Sequence, residues 1–472
     1  MDVEVAKRLV TRFWKWEYFW LSLIVVATLV LHFIVIARPA EPLFDEQHYV
    51  PDARNIIYQH NTARGEHPQL GKLAIVSGIL TFGDNPWGWR LPSVVFGTAG
   101  IIFFYLTCRN LKMSRRASTL GTFILATENL YFVHSGIAML DIFTVSMMLL
   151  AFWLYSRRSY PAAGVAVALS ALAKFNGVFA IFAIIIHWLL GRRDKPIQFL
   201  ASLVLSGLAF MLLYAAFDAV IYLKMIDFVT GLRNALGSTE SLTFVTAKHV
   251  SMSRPWEWVF NLEIMPYWYG PHYIGLVSFP VWALTVPTVL YAAFRAFKKN
   301  TAGLFVVAWF IGTYVIWTPL DIITDRITFI FYFLPTVPAI CLGLGMGMDE
   351  LVNFWKTPRR PRKPKVKVAA QVLQPPGAAA AEIMPPLTTY AAPVLPPPPM
   401  PPLELPAATA PMAAPAAPLP EPTPSEPLAR RRKTKLQWAA IAFVALFFLL
   451  QIATFIIVAP PLNNWHIENW FR

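Results

Sequence analysis

Apolar residues in this chain come in long blocks rather than alternating stripes. Runs of about 20 residues, the length a helix needs to cross a bilayer, fall at about 18–36, 91–108, 118–136, 139–156, 161–174, 177–190, 197–222, 273–294, 302–319, 327–347 and 437–458. The block from 161 to 190 is longer than one crossing requires, and Lys174, Asn176 and Gly177 interrupt it, so a helical hairpin is expected there. The pattern predicts an all-α polytopic membrane protein of about eleven helices. Two long stretches, 37–90 and 223–272, are expected to lie outside the membrane on the outer side, the first of them carrying a short apolar segment, Leu73 to Phe82. In the first, Asp52 to His60 carries Ile56, Ile57 and Tyr58 among polar residues, which suits an amphipathic helix lying on the interface. From Pro358 to Pro427 there are 22 prolines, which deprive the backbone of donors and of a packed core. This is expected to be a tether of polyproline II character. Its run Pro396–Pro399 could instead dock an aromatic-lined groove. The expected organisation is a membrane domain over 1–355, a linker over 356–435, and a last helix with its tail over 436–472.

Composition agrees with the pattern. Hydrophobic residues make up 56% of the 472 and charged residues only 14%, with a mean hydropathy of +0.51; soluble domains carry about 25% charged residues. The net charge of +14 would suggest nucleic acid in a soluble protein. Here 28 of the 40 basic residues fall on one side once the N-terminus is placed in the cytoplasm, so topology accounts for the charge and no nucleic-acid partner is expected. Residues 18–36 are too long for a signal-peptide core and are expected to be retained as a first helix. Cys108 and Cys341 lie far apart in apolar segments and are expected to be small buried hydrophobes.

The candidate chemistry gathers on the side opposite that basic face. The first long loop opens with Phe44-Asp45-Glu46, two acids directly after a membrane helix. Such a pair is often a solvated loop start, but a carboxylate held there could act as a general base on a hydroxyl. His67-Pro-Gln-Leu-Gly-Lys72 follows, then Arg90 at the entrance of the next helix. Lys72 could snorkel or pair with a lipid-borne phosphate. Asp141 and Lys174 sit at helix ends on the same side, and Arg326 precedes the 327–347 helix, where Asp325 offers it a local partner. Ionisable groups at membrane depth are candidates for function. No ordered set of His, Cys and carboxylate residues reads as a metal site.

These residues resemble those of the protein O-mannosyltransferases that use dolichyl-phosphate mannose, within the polytopic glycosyltransferases of the GT-C fold. Phe44-Asp45-Glu46 resembles the family's aromatic-Asp-Glu motif, and His67 to Lys72 its His-Pro-Pro-Leu-Gly-Lys, with Gln69 in place of a proline. Arg90-Leu-Pro, Met139-Leu-Asp141, Ser253-Arg-Pro-Trp-Glu-Trp258, and Arg326-Ile-Thr-Phe with Tyr332-Phe-Leu-Pro335 resemble further motifs, in the family's order. Tyr332 stands where many eukaryotic members have histidine. The 223–272 stretch is too short for the MIR domain those members insert, which implies a prokaryotic type.

The resemblance implies inverting transfer of a hexose, expected to be mannose, from a polyprenyl or dolichyl phosphate to Ser/Thr hydroxyls of an acceptor protein on the extracytoplasmic side of the cell membrane. It implies Asp45 as base and Glu46 as a positioning acid. It implies His67, Lys72, Arg90 and Arg326 at the donor phosphate, with Asp141, Lys174 and Tyr332 in support. No cofactor and no metal are implied. Eukaryotic members dimerise, and an oligomer is an open alternative for this chain. A transferase acting on a glycolipid or cell-wall polymer is the alternative within the same chemistry. A lipid or sugar transporter is the alternative of another class, for which charges along a transmembrane path and inverted repeats would be expected.

Overall fold

The computed structural model describes residues 16–237, 243–246, 249–269, 272–357 and 433–460. The expectations for the proline-rich tether, the basic residues before position 16 and the tail after position 460 lie outside the described residues. The described chain is overwhelmingly helical, with one short hairpin.

The first helix, α1 (Phe19–Val35), leads into a loop that carries α2 (Glu46–Gln59) and α3 (Gln69–Phe82). α4 (Pro86–Asn110) follows, with Pro86 at its first turn and the Asn85 side chain accepting from the Trp87 and Gly88 amides. Then come α5 (Arg115–Ala126), α6 (Asn129–His134), α7 (Leu140–Ser156), α8 (Tyr160–Ala173), α9 (Phe179–His187) and α10 (Pro196–Tyr222). The second long connection holds α11 (Phe228–Gly237), α12 (Glu257–Phe260) and an antiparallel hairpin of β1 (Met265–Tyr269) and β2 (His272–Gly275). α13 (Phe279–Ala283), α14 (Thr285–Phe297), α15 (Thr301–Phe310), α16 (Trp317–Thr324), α17 (Val337–Lys356) and α18 (Lys435–Val458) complete the bundle.

Six helical stretches among the described residues are long and apolar enough to cross a membrane: 86–110, 175–192, 196–222, 301–324, 337–356 and 435–458. Four shorter apolar helices accompany them, α1, α3, α7 and α8. The chain is a multi-pass membrane protein.

The expected hairpin break falls at Lys174. Its backbone is extended, and residues 175–178 form a tight 3₁₀ turn before α9. Three apolar runs depart from single helices. The run 118–136 breaks at Thr127-Glu128, where the buried Glu128 carboxylate accepts from the Tyr131 and Ser278 amides. The run 273–294 starts in β2 and becomes helical only at Phe279. The run 327–347 starts extended, passes through a 3₁₀ turn at Ile330–Phe333, and becomes helical at Val337, past Pro335. Hydropathy alone does not separate these irregular apolar segments from helix. α2 starts earlier than the expected amphipathic helix and turns Tyr49, Val50, Ala53 and Ile56 inward. Cys108 and Cys341 are buried and unbonded, as expected.

Bundle contacts are close. A Cβ on Gly345 of α17 would lie 2.6 Å from the Ala117 carbonyl oxygen of α5 and 2.7 Å from Gly121. Ser114 and Arg116 both hold Asp349, which locks the same two helices at one end.

Candidate active site

The C-terminus of α1, the N-termini of α4 and α7, and the C-terminus of α8 converge at one end of the bundle, under the loop 36–68. Asp45 is the N-cap residue of α2, but its carboxylate makes no capping bond. It instead lines a cleft of about 500 Å³ together with Tyr49, Arg64, His67, Lys174, Tyr267, Arg326, Phe331 and Tyr332. Burial raises its pKa to about 6, against the pull of Lys174; the Tyr49 hydroxyl, one helical turn on, donates to it and favours the charged form. Burial, then the cations Lys174, Lys72, Arg326 and Arg64, holds His67 well below the usual imidazole range, so it is neutral near pH 7.

Lys174 bonds both oxygens of Asp141, at 2.9 and 3.0 Å, and its ammonium lies 4.6 Å from the Tyr332 ring centre. Arg326 is half-buried, and among the described residues no carboxylate pairs with its guanidinium. Its neighbour Asp325 is taken by Arg254 at 2.7 Å, so of the two readings the sequence left open, the local pair is not the one that forms.

A second, largely apolar cavity of about 290 Å³ abuts the cleft and is lined by Phe175, Val178, Phe179, Leu236, Trp317 and Leu320. Both cavities are also lined by Glu66, His67, Lys174, Arg326 and Tyr332, so those five side chains form the junction between them. An apolar groove of about 400 Å³ between α8, α10 and α11 continues from the second cavity through Phe175, Val178 and Leu236.

Two expected phosphate ligands are elsewhere. Arg90 is fully buried. It bonds both Glu46 oxygens at 2.9 and 2.8 Å and the carbonyls of Ile36, Pro39 and Glu41, which uses all five of its donors. Glu46 in turn accepts from the Leu43 and Ala138 amides. The pair staples the loop to α1, α4 and the start of α7, and neither residue lines the cleft. Lys72 is buried as well, donating to Thr62 and to the Arg64 carbonyl, with Asp52 at 3.7 Å. It braces the 60–68 loop rather than facing the cavity. These charges lie at the same end of the bundle as the cleft. The sequence could not show that buried acids and carbonyls would consume them.

Tyr49 and Tyr267 escaped the sequence reading. Tyr49 stands four residues after Asp45, a helical spacing that could have flagged it. Tyr267 reaches the cleft from the hairpin and shares a 2.9 Å hydrogen bond with His134, for which no sequence signal existed. Among the described residues, no three His, Cys, Asp or Glu side chains group as a metal site would require.

Comparison with known proteins agrees with this architecture. The family model for dolichyl-phosphate-mannose-protein mannosyltransferase matches residues 66–222. A polyprenol-phosphate-mannose–protein mannosyltransferase of Mycobacterium tuberculosis is 22% identical over 420 residues, covering 70% of this chain and 80% of that one. One from Corynebacterium glutamicum is 30% identical over 158 residues, covering 29% of this chain and 30% of that one. Among solved structures, the S. cerevisiae protein O-mannosyltransferase Pmt1-Pmt2 complex bound to the sugar donor superposes with a TM-score of 0.66 at 11% identity, covering 95% of this chain and 90% of its counterpart. ArnT from Cupriavidus metallidurans bound to undecaprenyl phosphate gives 0.51 at 17% identity, covering 72% and 63%. The fold is that of the GT-C membrane glycosyltransferases. Over residues 66–222 the chain is similar to the dolichyl-phosphate-mannose-protein mannosyltransferases.

Proposed function

We propose that this protein transfers mannose from a polyprenyl phosphate to Ser/Thr hydroxyls of proteins, at the extracytoplasmic face of the cell membrane. The observation that carries the reading is the junction: a polar cleft holding a carboxylate meets an apolar cavity, and Lys174 and Arg326 stand at the boundary. A lipid-linked sugar phosphate has the same three parts in the same order.

The sugar lies in the cleft, the phosphate at Lys174 and Arg326, and the lipid along Phe175, Val178 and Leu236. Asp45 takes the proton of the acceptor hydroxyl as its oxygen bonds to the anomeric carbon. The bond from that carbon to the phosphate oxygen breaks from the opposite face, so the configuration inverts. The lipid phosphate leaves with the electron pair, and the fixed cations stabilise that developing charge without reorganising. His67, being neutral, donates a hydrogen bond to the phosphate or sugar rather than adding charge. Asp141 holds Lys174 in place. Glu46 and Arg90 hold the loop that presents Asp45. The proposed displacement calls on no cofactor.

The test is transfer of labelled mannose from polyprenyl-phosphate mannose to a Ser/Thr-rich peptide by the purified protein. Labelled peptide is the expected result. Label passing only to extracted lipid would replace the protein acceptor with a glycolipid.

A further inference from the structure

We infer that Arg254 is a positioning residue for donor binding, and that it acts by withholding Asp325 from Arg326. The inference rests on the reading of Arg326 as a phosphate ligand. Asp325 and Arg326 are adjacent, and a guanidinium satisfied by a carboxylate is a poor phosphate ligand, because both anions compete for the same fork of donors. The structure resolves that competition with a second arginine.

Arg254 donates to Asp321 at 2.8 Å and to Asp325 at 2.7 Å, one acid on each terminal nitrogen. Its guanidinium lies 3.7 Å from the Phe244 ring centre, which fixes the plane of the fork. The backbone is arranged around this contact. Asp325 ends α16 in a left-handed conformation, with φ at +46°. The Phe244 amide donates to the Asp325 carbonyl, Thr243 bridges to Arg326, and the Ser253 amide donates to the Thr328 carbonyl. Residues 243–244 and Ser253 are thus stitched along 325–328. Arg254 draws Asp325 to one side, while Arg326 lines both cavities at the junction. Asp321 is fully buried and anchors the arginine, so the clamp does not depend on Asp325 for its own position.

The experiment measures donor KM and kcat for the full-length protein in detergent with polyprenyl-phosphate mannose, alongside the melting temperature of each variant. Arg254→Gln frees Asp325 to pair with Arg326 and is expected to raise donor KM about tenfold, the scale of one charge-assisted hydrogen bond, with kcat changed far less. Asp325→Asn alone is expected to leave KM near wild type. The double variant Arg254→Gln/Asp325→Asn is expected to restore KM, because no carboxylate remains to compete. A contact that served only as packing gives the opposite result, since removing both of its ends would harm binding at least as much as removing one; a double variant no better than Arg254→Gln overturns the inference. An unchanged KM in Arg254→Gln overturns it as well. Should Arg254→Gln not fold, Arg254→Lys holds one acid but not both; its KM is expected to rise and to be rescued by Asp325→Asn, and no rise or no rescue overturns the inference. Absence of turnover by the wild-type protein would instead remove the proposed function.

Discussion

At the scale of the residue, the environment of Asp45 fixes a testable titration. A base must be ionised to act, and burial raises this carboxyl to about 6. Activity is therefore expected to be full above that value and lost as pH falls through it, seen as the acid limb of a kcat/KM profile. Tyr49→Phe removes a hydrogen bond that favours the carboxylate, so the acid limb is expected to move to higher pH while the enzyme stays active near pH 8. Asp45→Asn is expected to lower kcat by about 10²–10⁴-fold, the usual contribution of a positioned base, with the melting temperature unchanged; a variant retaining full turnover would take Asp45 out of the mechanism. The sequence displayed Asp45 because an ionisable group at the mouth of a membrane helix is a candidate for function. It displayed Arg90 and Lys72 for the same reason, and there the outcome differs. A charge beside a membrane can be free for a ligand or consumed by its own backbone, and only the three-dimensional arrangement separates the two. Arg90 has five donors and five acceptors around it, whereas Arg326 lines two cavities.

Elements show the same contrast in a form that stability reports. Arg90→Leu leaves the buried Glu46 carboxylate without its cation, held only by the Leu43 and Ala138 amides, and breaking a buried pair in this way costs about 3–5 kcal/mol. A large drop in melting temperature is expected, with no selective change in donor KM. Arg326→Gln is expected to do the reverse, raising donor KM at an unchanged melting temperature. Gly345→Val would place a side chain against the Ala117 carbonyl across α5 and α17, which Arg116 and Asp349 prevent from separating; a loss of about 1–3 kcal/mol is expected from such overpacking, read by thermal unfolding. Most helices were legible as apolar runs, and the break at Lys174 was legible because polar residues interrupt one of them. The extended stretch before α17 and the pairing of β1 with β2 were not. Apolar residues there face protein rather than lipid, and hydropathy reports transfer out of water without saying into what.

At the scale of the whole molecule, the polar cleft, the junction and the apolar groove between α8, α10 and α11 form one path. Val178 stands where the second cavity and the groove share residues, and it is 40% exposed, so a larger side chain there has room. Val178→Trp is expected to raise KM for a long polyprenyl donor while sparing a short-chain analogue, measured as the ratio of the two. The groove between α8, α10 and α11 joins the cavity that ends at the charged boundary, so under the proposed function a lipid-linked donor need never be lifted out of its leaflet. Encounter then takes place in two dimensions. The quantity that saturates the enzyme is the mole fraction of donor in the surrounding film, and adding inert lipid or detergent at fixed total donor slows the reaction by dilution within the surface, although the concentration in the tube has not changed.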